Sequence, residues 1–382
     1  MPLEPFIPYG RQSINEEDER AVLAVLRSDY LTQGPATLQF ETELADYVGA
    51  RHAVAVSNAT AGLHLAMAAL DLGPGEGITS PITFVATSNA MAYVGLTPVF
   101  ADIDPASLNL SPERVAAAFT DRTKLIAPVH FAGRPADMAA FGELVAGKAV
   151  SIVEDAAHAI GSEHAHGKVG DCRHSNATVF SFHPVKIMTT GEGGAVTTND
   201  SALYERLLML RSHGITRSPS RLSEQPGRWW YEQQMLGFNY RMTEIQAALG
   251  ASRLKRLDEF IDRRRAIIDC YQAAFGDLAW LQRPQEAGAD RIGFHLYVAQ
   301  VDFARIGRTR EETMAALASQ GVGSQVHYIP VSRQPWYRET YGEAGDLPAA
   351  DRYYERGLSL PLYPAMTNDE VERVITAVRG LA

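Results

Sequence analysis

An α/β fold with a buried, mostly parallel central sheet is predicted by three observations. Short β-type runs alternate with segments of helical period, and those runs are near-continuously apolar rather than alternating. The chain also has 382 residues, more than one hydrophobic core usually serves, so a second, smaller domain is expected.

Each element can be argued in order. From residue 13, "SINEEDERAVLAVLRS" predicts a helix opened by a capping box of Ser13 and Glu16. The strand-like "AVAV" (53–56) precedes "ATAGLHLAMAALDLG", where Leu63, Met67 and Leu70 recur at helical spacing. A helix-like "FVATSNAMAYVG" leads into "TPVFADI", and "KLIAPVHF" and "AVSIVEDAAHAIG" add further strands. "ATVFSF" and "GGAVTTND" follow each other so closely that part of the sheet is expected to be antiparallel. The polar stretch 214–234 is too long for a plain connection and reads as functional or mobile. "RMTEIQAALGASRLKRLDEFIDRRRAIIDCYQAAF" predicts one long helix bridging two domains.

Beyond it the texture changes. "HLYVAQVDF" reads as a strand, and "RTREETMAALASQG" as a helix boxed by Thr309 and Glu312. The last helix repeats the device with Thr367 and Glu370, and gathers Val371, Val374, Ile375 and Val378 on one face. The expected division is a large domain over 1–251 and a smaller α+β domain over 252–382.

Composition narrows the function. A formal charge of −10 argues against nucleic acid and anionic membrane as partners. The two cysteines, Cys172 and Cys270, lack CxxC spacing and exclude a disulfide framework, which points to a reducing cytoplasm. The opening residues show no basic segment followed by an apolar one, and no run approaches the ~20 apolar residues of a membrane span. A soluble protein is expected.

Four features bear on chemistry. "SNATAG" runs from a strand straight into a helix, where free N–H groups and the hydroxyl of Thr60 suit a phosphate, or where a cap and small residues merely allow close packing. Asp155 ends a buried strand, so it faces the ligand crevice or caps a following helix. Lys186 follows the next strand beside Ser181 and His183; it is a reactive amine or the ion-pair partner of a carboxylate such as Glu192. "HAIGSEHAH" superficially resembles a metal cluster, but its second half reads as a turn between strands and no matching ligands appear elsewhere, so no metal is assigned.

Together these fit pyridoxal phosphate, which needs an amine for its aldehyde, a carboxylate for its pyridinium nitrogen and a cradle for its phosphate. Lys186 then serves as covalent anchor through an imine and, once displaced, as the base that moves the proton. A nicotinamide enzyme would want GxGxxG at the first strand-to-helix turn; "SNATAG" is not that, and "GEGG" (191–194) precedes a strand.

At this point "SNATAGLHLA", "SPITFVATSNA", "VEDAAHAIGS", "SFHPVKIMTTGEGGAVTTND", "LRSHGIT" and "LGFNYRMTEIQAALG", in order and over nearly the whole chain, resemble the DegT/DnrJ/EryC1/StrS family of sugar aminotransferases. The resemblance implies a fold-type-I, pyridoxal-phosphate-dependent enzyme acting on nucleotide-linked keto sugars. Within the family, "PYGRQSI", "RSDYLTQGP", "WWYEQQMLGFNYR" and "VHYIPVSRQPWYR" resemble the transaminases of pseudaminic acid biosynthesis, which make UDP-4-amino-4,6-dideoxy-N-acetyl-β-L-altrosamine.

By that resemblance Lys186 bears the imine, Asp155 holds the ring nitrogen and His158 lies close to the ring oxygen. Ala59, Thr60 and Ser181 hold the phosphate, Asn239 completes the cradle from a neighbouring subunit of a homodimer, and Phe84 covers the cofactor face. Tyr9, the loop Asp29, Tyr30, Leu31 and Thr32, and the loop His327, Tyr328, Ile329 and Pro330 match loops that meet the nucleotide sugar. Asn58-Ala59-Thr60 stands where many relatives carry Ser-Gly-Thr, so Ala59 adds a methyl beside the phosphate. The implied partners are a UDP-linked 4-keto-6-deoxy sugar and L-glutamate. Other nucleotide-sugar 4-aminotransferases, a sugar dehydratase, which carries histidine in place of the lysine, and a non-catalytic sensor on the same scaffold are the competing readings.

Overall fold

The computed structural model describes residues 5–284 and 291–382. In chain order the elements are α1 (Glu16–Leu26), α2 (Pro35–Val48), β1 (His52–Val56), α3 (Ala59–Leu70), β2 (Gly75–Thr79), α4 (Ala86–Tyr93), β3 (Leu96–Phe100), α5 (Pro112–Ala118), β4 (Thr123–Ala127), α6 (Met138–Val145) and β5 (Ser151–Asp155). Then follow β6 (Glu163–His164), β7 (Gly167–Lys168), β8 (Ala177–Ser181), β9 (Gly194–Thr198), α7 (Ser201–Arg211), β10 (Ile215–Thr216), β11 (Glu232–Gln233), α8 (Glu244–Leu254) and α9 (Leu257–Ala274). The rest is β12 (Leu281–Gln282), β13 (Tyr297–Val301), α10 (Arg310–Ser319), α11 (Pro335–Tyr341), α12 (Pro348–Arg356), β14 (Gly357–Leu360) and α13 (Asn368–Arg379).

Seven strands form the central sheet in the order β1-β9-β8-β5-β4-β2-β3. Neighbours from β8 to β3 pair parallel, while β9 runs antiparallel to both β8 and β1. No helix separates β8 from β9, and a parallel return needs a crossover. Gly194 therefore faces both Val56 and Ser181, and the ends of β1 and β8 meet the start of β9 at one edge.

Both faces of the sheet are covered, which explains its continuous apolarity. Val54, Val56, Val153, Val179 and Val196 point to the α3 and α7 side with Leu63, Leu65 and Leu207. Ala53, Ala55, Phe180 and Ala195 point to the α2 and α8 side with Phe40, Leu44 and Leu254. Fully burying a side chain such as Phe180 is worth about 2–3 kcal/mol. A separate cluster joins Ile267, Ile268 and Tyr271 of α9, and Phe275 at its C-cap, to β13, β14 and α13, and also takes in Ile7.

The capping boxes of α10 and α13 form as expected at Thr309 and Thr367, and "SEHAHGKVG" is the β6–β7 hairpin. Two expectations fail. α1 starts at Glu16, capped by Asn15 with Asp18 as the reciprocal residue, not by Ser13 and Glu16. Asp18 is drawn inward by Arg253 at 3.3 Å and Arg256 at 2.7 Å, and the Ser13 carbonyl is occupied by Arg253. The long bridging helix is two helices, broken at Lys255–Arg256, where α8 ends its packing on α1 and α2 and the chain departs toward the second cluster.

The stretch 214–234 is tied at its ends by β10 and β11. The Glu232 carboxylate gathers it internally, accepting from Ser223 N at 2.8 Å, Ser223 Oγ at 2.7 Å and Trp230 Nε1 at 3.1 Å. Those donors hold the exposed carboxyl down to about 2. Among the described residues no helix is long and apolar enough to cross a membrane.

Candidate active site

A cleft of about 1010 Å³ opens at the carboxyl ends of β1, β5 and β8, where a parallel sheet presents its crevice. Asn58, Ala59, Thr60, Asp155, Ser181 and Lys186 all line it. On one wall α3 begins. The Asn58 side chain accepts from Ala61 N at 2.8 Å and caps the helix, and Ala59 and Thr60 form its first turn. A Cβ at Gly194 would stand 2.7 Å from Ala59 N, so the glycine lets β9 lie against this helix end.

Asp155 ends β5, 5% exposed. Its Oδ2 accepts from Thr87 Oγ1 at 2.6 Å and its Oδ1 from Ala157 N at 3.0 Å. No helix follows β5, so the carboxylate is not an N-cap. Lys186 sits in the turn after β8, with its N–H donating to the His183 carbonyl at 2.9 Å. Among the described residues it makes no ion pair, so the structural partnership with Glu192 does not form, although Glu192 lines the same cleft. Burial lowers its ammonium to about 8, with Asp155 pulling the other way.

A wall of imidazoles and phenols faces α3. His158 Nδ1 accepts from Ala132 N at 3.3 Å, which fixes the neutral tautomer with its proton on Nε2, and Nε2 lies 3.1 Å from the Tyr328 hydroxyl. Burial, reinforced by the Lys186 charge, keeps His158 and His295 well below the ordinary histidine range. The same causes bring His327 to about 4, and its Nδ1 meets Ser359 Oγ at 2.8 Å. Thr87 and His295 were not legible in the sequence: one is a helix hydroxyl far upstream, the other lies before a strand of the second cluster, its ring 4.5 Å from that of His158.

The other expected site residues divide into two groups. Tyr9, His327 and Tyr328 line the cleft, and Phe84 stands at it 59% exposed, its ring 6.2 Å from Tyr328. Asn239, Asp29, Tyr30, Leu31 and Thr32 are exposed and outside it; the Leu31 carbonyl accepts from Glu244 N. Ile329 is exposed and Pro330 buried, neither lining the cleft. His164 and His166 lie on the β6–β7 hairpin region, and among the described residues no group of three His, Cys, Asp or Glu could hold a metal.

The family profile of the DegT/DnrJ/EryC1/StrS aminotransferases matches residues 12–379. The chain belongs to the DegT/DnrJ/EryC1/StrS aminotransferase family. It is 43% identical over 379 residues to the spore coat polysaccharide biosynthesis protein SpsC of Bacillus subtilis, covering 98% of this chain and 97% of SpsC. Helicobacter pylori PseC, an aminotransferase involved in the biosynthesis of pseudoaminic acid, superposes with a TM-score of 0.91 at 32% identity, covering 98% of this chain and 99% of PseC. The Streptococcus pneumoniae protein Spr1654, solved in its PLP form, superposes with a TM-score of 0.89 at 28% identity, covering 99% of this chain and 100% of that one.

As a DegT/DnrJ/EryC1/StrS aminotransferase of the fold-type-I class, the protein uses pyridoxal 5′-phosphate. The residues present suit that group: a capped helix end kept open by a glycine, a buried carboxylate and an easily neutralised amine share one cleft.

Proposed function

We propose that this aminotransferase moves the amino group of L-glutamate to C4 of a UDP-linked 4-keto-6-deoxy-N-acetylhexosamine, giving UDP-4-amino-4,6-dideoxy-N-acetyl-β-L-altrosamine. Glutamate leaves as 2-oxoglutarate, and the sugar ketone becomes an amine. The likeness to PseC over 98% of the chain supports the sugar class. The single observation that carries the chemistry is the convergence of Asp155, Lys186 and the start of α3 on one cleft.

Bound pyridoxal phosphate supplies an electron-accepting ring when a Cα–H bond breaks. The chain's own groups do the rest. The Asp155 carboxylate holds a proton on the ring nitrogen, and Thr87 orients that carboxylate. Ala59 N–H, Thr60 and Ser181 take the phosphate at the positive end of α3. Lys186 Nζ, poised to lose its proton near neutral pH, takes the proton from the glutamate Cα and later returns one to the sugar C4. Phe84 would cover one face of the bound ring, and His158 would lie on its ring-oxygen side. Tyr9, His327 and Tyr328 line the sugar end, with Ile329 and Pro330 shaping the loop behind them. Asn239 and the loop Asp29–Thr32, exposed and outside this cleft, act in the cleft of a second copy, so the active unit is a homodimer. Free Cys172 and Cys270 suit a reducing cytoplasm.

Purified protein is expected to absorb in the visible, with borohydride trapping the cofactor on Lys186, and Lys186→Ala to abolish turnover. Glutamate with a panel of UDP- and dTDP-linked keto sugars, followed by determination of the product's C4 configuration, tests the substrate. A product that has lost oxygen without gaining an amine, or full turnover by Lys186→Ala, overturns the reading.

A further inference from the structure

We propose that Asp102 is a positioning residue for the loop His327–Pro330: its buried carboxylate caps α12 from the end of β3, and α12 holds that loop against the cleft. The inference rests on the reading that this loop meets the nucleotide sugar.

Asp102 stands two residues past β3 and does not line the cleft. It is 5% exposed, yet its carboxylate accepts from three backbone N–H groups. Oδ1 takes Ile103 N and Ala350 N, each at 2.9 Å, and Oδ2 takes Ala349 N at 2.9 Å. Ala349 and Ala350 lie 247 and 248 residues further along the chain, in the first turn of α12. That helix cannot cap itself. Its N-cap is Leu347, which has no side-chain oxygen, and Pro348 at the first helical position has no N–H. A carboxylate suits the donors that remain, because they form the positive end of the helix dipole.

The Ala350 N–H has no route to water. Leu347, Ala350 and Tyr353 share one apolar cluster with Ile82, Ile103 and Phe131, which follow β2, β3 and β4 of the central sheet. Without the carboxylate, a buried donor is left without an acceptor, and the start of α12 must shift or open.

From there α12 grips the loop at both ends. The Tyr353 hydroxyl donates to the His327 carbonyl. Arg333, just past the loop, donates to Asp351 at 2.6 Å, and its guanidinium carbon lies 5.1 Å from the centre of the Tyr354 ring. A further tether runs from Val331 N to the Pro81 carbonyl at 2.8 Å. His327 and Tyr328, which line the cleft, are thus the last links of a chain of contacts that starts at Asp102.

The test compares kcat/KM for L-glutamate and for the UDP-linked 4-keto-6-deoxy-N-acetylhexosamine in Asp102→Asn, Asp102→Ala and Tyr353→Phe. Asparagine keeps one acceptor oxygen and alanine none. For the keto sugar kcat/KM is expected to fall about threefold in Asp102→Asn and about tenfold in Asp102→Ala, the scale of a lost helix cap. For glutamate it is expected to hold within about twofold, whereas general damage to the fold lowers both alike. Asp102→Ala combined with Tyr353→Phe is expected to lose no more than the worse single variant, because both act through α12. Amide hydrogen exchange of the unliganded protein reads the same contact without turnover: in Asp102→Asn it is expected to quicken over 327–333 and 348–356 and not over α3. Equal losses for both substrates, or unchanged exchange over 327–333, overturns the proposal. The failures separate: if the unaltered protein aminates no keto sugar, the substrate reading falls while exchange still decides whether Asp102 holds the loop. Full use of the keto sugar by Asp102→Ala sinks this proposal alone.

Discussion

Lys186 and Asp155 line one cleft, and burial there sets the protonation of the lysine. Burial works against the ammonium, so the Lys186 amine releases its proton near 8 rather than in the ordinary lysine range. Only the neutral amine attacks an aldehyde. Uptake of pyridoxal phosphate by the apoprotein, followed by absorbance, is therefore expected to quicken as pH rises through about 8 and to level off above it. Uptake that keeps climbing toward 10 contradicts the assignment. Asp155 is accessible to reasoning as the last residue of a buried strand, but its 2.6 Å partner Thr87 is not. Asp155→Asn keeps the shape and removes the charge, so cofactor affinity measured by equilibrium dialysis is expected to fall about 10- to 100-fold. Thr87→Val, which removes only a neutral donor, is expected to cost less than Asp155→Asn.

Among elements, α3 and β9 depend on each other. Gly194→Ala would drive a methyl against Ala59 N and Asn58 O, both backbone atoms that cannot swing aside. The expected result is weaker cofactor binding with little change in helical circular dichroism; unchanged affinity would show that the helix end does not hold phosphate. α13 gives a simpler case. Its box of Thr367 and Glu370 was readable because the motif is local, and Thr367→Ala is expected to cost about 1 kcal/mol in denaturant unfolding. α1 was misread for the opposite reason: Asn15 won because Asp18, three residues on, is held by Arg253 and Arg256 from α8 and its C-cap region. Short-range capping rules cannot see that pull.

At the scale of the molecule, apolar side chains remain uncovered around the segments that carry Asn239 and Asp29–Thr32. Trp229 is 70% exposed, Leu236 82%, and Tyr30 and Leu31 about half. Exposed apolar side chains of this size mark association surfaces where they join into a patch. On the homodimer proposed above, Leu236→Asp combined with Trp229→Glu is expected to give a monomer in sedimentation and to remove activity while Lys186 still traps the cofactor. A variant that stays dimeric and active would detach the 214–236 segment from assembly.

By itself the sequence determined the alternation of strand and helix, the antiparallel return that carries Lys186, and the positions of the amine and the carboxylate. Each of these follows from local periodicity or from a residue's rank at the end of a strand. Only the tertiary structure decided which side chains face them: Thr87 on Asp155, Gly194 against Ala59, and Ala132 on His158 with Tyr328 beyond it. Those contacts join residues far apart in the chain, and a hydrogen bond is specified by distance and direction, which no spacing along the backbone records.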